Sequence, residues 1–128
     1  MYDAKYYISD VLRSENNDYD GMSKRFHNKD VIRLLHGGMG ISTEAGEFLD
    51  VLKKHIFYGK EIDYVNLSEE LGDALFYIAL CMDVLGISFE DVMEKNIEKL
   101  KARYPEKFTE DKAINRDLDT ERKILENN

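Results

Sequence analysis

Apolar residues recur along much of this chain at gaps of four and three, the spacing of one helix face. Leu67, Leu71, Ala74, Ile78, Met82 and Leu85 trace such a stripe and predict a helix that begins after Asn66 and ends at Gly86. A longer helix is predicted from Lys29 to Tyr58, with Asn28 as its N-cap and Gly59 at the left-handed closing position. A third starts after Ser88, carries Phe89, Val92, Met93, Ile97 and Leu100, and stops before Pro105. There, Asp91 lies three residues after Ser88, a variant of the capping box. A shorter helix is expected over residues 3–14, with Tyr6, Tyr7, Val11 and Leu12 inward, followed by the polar linker SENNDYDGMSKRF. The charged tail has room for one short helix near residues 117–126. Strand-like alternation is nearly absent. The expected fold is therefore all-α, an antiparallel helical bundle in one domain over residues 1–128, with its core at 29–105 and a tail at 106–128.

One stretch strains this helical pattern. HGGMGISTEAGEFLD, residues 36–50, holds Gly37, Gly38, Gly40 and Gly46. Each costs a helix interior ~1 kcal/mol relative to alanine. Glu44 and Glu47 then fall one turn apart on one face, beside Phe48 and Val51. The next helix repeats the arrangement in SEELGD, where Glu70 and Asp73 adjoin the stripe at Leu71 and Ala74. Two helices thus offer carboxylate pairs to one interior. Burial of four uncompensated acids is strongly unfavourable, and divalent cations resolve it. An all-oxygen donor set selects Mg2+, Mn2+ or Ca2+ over Zn2+ or Cu2+.

Composition limits the alternatives. The chain has 26 acids in 128 residues, so a lone E-x-x-E is ordinary, and Glu94, Glu98 and Glu121 read as acids of solvated helix faces. Glu69 also reads as solvent-facing. Di-iron bundles use Glu-x-x-His, but Lys24, Arg33 and Leu52 stand three residues before His27, His36 and His55, which disfavours iron. The histidines read as surface or packing residues. An apolar fraction of 43% with 34% charged residues fits a folded globular protein, and a net charge of −8 argues against a nucleic-acid binder. Cys81 is the single cysteine and reads as a small core residue in a reducing compartment. The N-terminus is too polar and acidic for a signal peptide, and no apolar run approaches the ~20 residues that span a bilayer. The expected location is the cytoplasm, with no membrane partner.

Glu44-Ala-Gly-Glu47, then Glu70-Leu-Gly-Asp73 after 22 residues, resembles the E-x-x-E…E-x-x-D signature of the all-α, MazG-like nucleoside triphosphate pyrophosphohydrolases. VLKKHIFYGK and KNIEKLKARYPEKF extend the likeness over residues 31–116, about two-thirds of the chain. The resemblance implies cleavage of an NTP between the α and β phosphates, giving NMP and pyrophosphate, with Mg2+ and with Mn2+ as a substitute. It implies Glu44, Glu47, Glu70 and Asp73 as metal ligands, and Glu47 as the candidate to take a proton. It also implies nucleotide contacts at Asn96 and Lys99 and, more weakly, at Arg103 and Tyr104. Lys54 lies seven residues after Glu47, on the same face, and joins that set; Lys53 and Lys60 are further candidates. His36, about two turns before Glu44, lies within reach of a ligand. Short relatives assemble as homodimers or homotetramers whose site a partner completes, and the host cytoplasm is the location for a phage-encoded one.

In this light Gly46 and Gly72 are expected to let the two acid-bearing helices approach closely. Gly37, Gly38 and Gly40 would admit a nucleobase or a neighbouring helix. Base preference stays open. MazZ-type phage relatives convert dGTP to dGMP, whereas others prefer dCTP or dUTP or remove aberrant nucleotides. Two further classes stand beside this one: a non-enzymatic helical module that binds metal or a protein partner, and a phosphohydrolase that releases orthophosphate.

Overall fold

Asn28 accepts from the backbone N–H groups of Asp30 and Val31, and Gly59 closes the helix at φ 66°, so α3 spans Lys29–Tyr58 as predicted. The computed structural model describes residues 3–127, and these form seven helices and no strand. Before α3 come α1, Ala4–Leu12, and α2, Tyr19–Phe26. The segment expected as a linker thus holds a helix. Its N-cap is Asp18, whose side chain accepts from Gly21, and Lys24 and Arg25 occupy its last turn. Capping and end charges support this short helix, whose apolar stripe is only Tyr19, Met22 and Phe26.

α4 is Tyr64–Leu85 and starts before the predicted point. Asp63 is its cap, accepting from Asn66 N–H, which leaves the Asn66 side chain free for other work. Gly86 closes α4 at φ 64°. α5, Phe89–Arg103, opens with both halves of the Ser88–Asp91 capping box in place, and leaves α4 at 94°. α6, Glu110–Ile114, and α7, Leu118–Glu126, complete the chain.

The main packing is an antiparallel hairpin of α3 and α4. Its register runs from the Arg33–Asp83 ion pair, through Gly37 against Cys81 and Gly40 against Tyr77, to Glu44 near Glu70 and Asp73. The second packed pair is α5 with α7. Half-buried Leu34, Ile41, Phe48 and Val51 of α3, with Ala74, Ile78 and Met82 of α4, make up the interior. Among the described residues no apolar side chain is fully buried. Tyr6, Tyr7, Val11 and Leu12, expected inward, are exposed, and within the predicted α4 stripe Leu71 and Leu85 are each 58% exposed.

The chain exposes 10688 Å2. Size scaling gives a compact monomer of this mass roughly 7,000 Å2. The surplus, about 3,700 Å2, exceeds one side of a standard protein interface several-fold. No single helix of the described residues is long and apolar enough to cross a membrane.

Candidate metal centre

Near the middle of the hairpin the two acid-bearing faces meet. Carboxylate oxygens of Glu44 from α3, and of Glu70 and Asp73 from α4, lie within 4.8 Å of one another. Glu70 is 6% exposed, Glu44 half-buried and Asp73 exposed, so the group grades from the helix interface outward. Asn66, one turn before Glu70, donates its side-chain amide to Glu70 Oε1 at 2.6 Å. Glu44 and Glu70 border a groove of about 340 Å3 whose other walls are apolar, among them Ile41, Phe48, Leu49 and Leu71.

The electrostatics of this group follow from its neighbours. Desolvation is the largest influence on Glu44 and pushes its carboxyl above the ordinary value. A hydrogen bond with Glu70 and the negative charges of Asp73, Glu70 and Glu47 push the same way. The leading charged influences on Glu44 are therefore acids. Such a set holds a proton more tightly than usual, or it holds a cation. The three side chains are hard oxygen donors from facing helices, which fits a divalent cation of the Mg2+ or Mn2+ kind.

Glu47 lies one turn beyond Glu44 and is exposed; it acts on Glu44 through its charge but is outside the three-acid group. Lys54 turns to Asp50: the hydrogen bond between them, with the partner's opposite charge, raises the Lys54 ammonium and holds the Asp50 carboxyl low. Lys53 approaches the same carboxylate at 3.7 Å. Asn96 and Lys99 line a second cavity of about 360 Å3, with Val92 and with Leu125 of α7, and no α3 residue borders it. Arg103 gives Nε and Nη2 to Glu121, each at 2.8 Å. The Tyr104 ring lies 5.5 Å from Phe108 between centroids. His36 stacks edge-on against Tyr77 at 5.6 Å, a packing contact.

The glycine expectation holds for Gly37 and Gly40, which admit a neighbouring helix, and fails for Gly46 and Gly72. A Cβ at Gly46 or Gly72 would meet nothing within 4 Å, so neither permits the close approach. That role falls to Gly37 and Gly40. A Cβ at Gly37 would strike Cys81 Sγ, and one at Gly40 would strike the Tyr77 ring. The tight contact is thus one to two turns before the acids and sets their separation indirectly. Two features escaped the sequence reading: the Asn66 bond to Glu70, and Glu121, which is buried and ion-paired rather than solvated. An N-x-x-x-E spacing marks the first; nothing local marks the second.

The family model of the MazG nucleotide pyrophosphohydrolase domain matches residues 38–108, more than half of the chain. The matched span holds both acid pairs and all of α5, and omits α1, α2, α6 and α7. No curated protein and no solved structure matches the chain.

Proposed function

This chain belongs to the MazG nucleotide pyrophosphohydrolase family, and from that premise we propose that it hydrolyses a nucleoside or deoxynucleoside triphosphate to the monophosphate and pyrophosphate. The observation that carries the reading is the meeting of Glu44, Glu70 and Asp73 oxygens within 4.8 Å, with neighbouring acids raising Glu44. A divalent cation held there, Mg2+ or in its place Mn2+, supplies positive charge where carboxylates and triphosphate meet and acidifies water. In the reaction, water adds to the α-phosphorus while the bond from that phosphorus to the α,β-bridging oxygen breaks. Pyrophosphate leaves with that oxygen, and the water proton passes to a base. Glu47, exposed beside the group, is the candidate base and a further metal ligand. Asn66 fixes the Glu70 carboxylate, and the apolar groove walls limit competing water.

Asn96 and Lys99 of α5, with Arg103, Tyr104 and Lys54, are the nucleotide contacts of this proposal. In one chain the cavity at Asn96 and Lys99 is separate from the acid groove. The surplus surface of about 3,700 Å2 supports assembly as a homodimer or homotetramer in which α5 of a second copy faces the acids. The working location is the cytoplasm, or the host cytoplasm for a phage protein, with neither nucleic acid nor membrane as partner.

The test is incubation with each common NTP and dNTP plus Mg2+, followed by product separation. Monophosphate and pyrophosphate, lost with EDTA and in Glu70→Gln, are the expected result. A preference for dGTP would assign the MazZ-type reaction to this chain. Diphosphate and orthophosphate would move the cleaved bond. No turnover by folded, metal-loaded protein would leave a metal-binding or interaction module.

A further inference from the structure

Glu121 is 5% exposed, one of only two buried charged residues among those described, and it lies beyond the part of the chain that the family model matches. Both of its carboxylate oxygens are occupied. Arg103, the last residue of α5, donates Nε and Nη2 at 2.8 Å each. Arg116, in the α6–α7 connection, donates Nε at 3.3 Å to the first oxygen and Nη2 to the second. One carboxylate thus ties three segments together. Fork-to-fork pairing of this kind fixes direction as well as distance.

The tie has a geometric consequence along the helix pair. α7 runs antiparallel to α5, so one turn from Arg103 brings Lys99, and one turn from Glu121 brings Leu125. Those residues line the same cavity, together with Asn96 and Val92. Among the described residues, neither Asn96 nor the half-buried Lys99 has a side-chain partner. A slip of α7 by one turn, about 5.4 Å, would carry Leu125 away from them. Apolar contact alone tolerates such a slip, and buried ion pairs add little net stability over apolar contact of equal volume. What the Arg103–Glu121–Arg116 group adds is register.

We propose that Glu121 is a positioning residue: clasped by Arg103 and Arg116, it holds α7 in the register that makes Leu125 the apolar wall of a nucleotide groove whose polar floor is Asn96 and Lys99. This rests on the pyrophosphohydrolase reading above and deepens it. The sugar or base lies against Leu125, and the phosphates extend along Lys99. Arg103 then also serves the ligand through Glu121 and α7, beside the direct contact proposed above.

The experiment uses the full chain with Mg2+ and the preferred triphosphate, comparing wild type, Glu121→Gln, Arg116→Lys and Leu125→Ala. For each, KM, kcat, the Mg2+ half-saturation and the melting temperature are measured. Expected is a rise in KM of about tenfold in Glu121→Gln and Leu125→Ala, with kcat within about twofold and Mg2+ half-saturation unchanged. A smaller rise in KM is expected in Arg116→Lys, which keeps the charge and loses the fork. If Glu121→Gln does not fold, Leu125→Ala and Arg116→Lys decide: KM at the wild-type value in both overturns the proposal. A folded Glu121→Gln with wild-type KM and only a lower melting temperature overturns it too. Wild type that turns over no triphosphate defeats the functional reading instead, and this inference with it.

Discussion

Asn66 holds Glu70 by a 2.6 Å hydrogen bond from its side-chain amide, one turn along α4. The carboxylate it fixes is the most buried of the three that meet at the centre. Partners of this kind orient metal ligands, and losing them typically weakens metal binding about 10- to 100-fold. Asn66→Ala should therefore raise the Mg2+ half-saturation of turnover by that range while kcat at saturating metal largely recovers. Initial rates across a Mg2+ titration decide it; an unmoved half-saturation refutes the assignment.

Glu44 makes the metal-free protein pH-sensitive. Its folded carboxyl is raised, by desolvation first, so the folded state binds that proton more tightly than the unfolded chain does. The resulting support is fully present below the ordinary glutamate value and is lost as pH rises through the raised one. In EDTA the melting temperature should fall as pH rises above the ordinary glutamate value, and saturating Mg2+ should remove the fall. Glu44→Gln should melt above wild type in EDTA at the alkaline end yet turn nothing over. A Glu44→Gln melting temperature below wild type there would count against the cluster.

Glu121 has the opposite sign. Its guanidinium partners, Arg103 first, hold the carboxyl far below the ordinary 4.5. Its contribution is therefore complete above that value and is lost as the solution is acidified below it. Wild type should lose stability steeply below about pH 4.5, and Glu121→Gln should be less stable at neutrality with a flatter acid limb. Denaturant midpoints measured along that limb test this; parallel curves for the two proteins contradict it.

If α5 of one copy serves the acids of another, defects on the two surfaces should complement. Lys99→Ala and Glu70→Gln, each inactive alone, should regain activity when unfolded and refolded together. Random pairing of a dimer leaves one intact site in half of the molecules, about a quarter of wild-type activity. Mixtures that stay inactive would put both surfaces of a site in one chain.

Gly40 and Gly38 should respond oppositely to alanine. A Cβ at Gly40 enters the Tyr77 ring, and overpacking of that kind costs about 1–3 kcal/mol. Gly38 has open space around its missing Cβ, so Gly38→Ala should stabilise α3 by about 1 kcal/mol. Melting temperatures of the two variants decide this; a destabilised Gly38→Ala would mean another chain packs there.

Several of these features were legible in the sequence because they are local. Asn28, Gly59 and the Ser88–Asp91 box announce their helix ends within one turn, and the acid pairs declare their face by their period. α2 was not legible, because its stripe is only Tyr19, Met22 and Phe26, interrupted by Gly21 and set in a polar segment, so caps and end charges carry much of it. The start of α4 was placed after Asn66 because the apolar stripe begins at Leu67, whereas the cap, Asp63, lies a turn earlier, outside that stripe. The Arg103–Glu121 pair joins residues 18 apart, and helical periodicity names a face, never the partner that covers it. The glycines show the same limit. The sequence offered Gly37, Gly38 and Gly40 as well as Gly46 and Gly72 for close approach, but only the α3–α4 register reveals that Gly37 and Gly40 carry the contact.

The surface that this chain leaves open has a consequence for its life after synthesis. If the second copy proposed above covers the surplus of about 3,700 Å2, the chain owes much of its folded lifetime to its neighbours. Dilution then acts on it as a mild denaturant, and its melting point is a property of the stock concentration as much as of the sequence. In a cell, the first copies made would be the most perishable, and working molecules would accumulate more steeply than the message that encodes them.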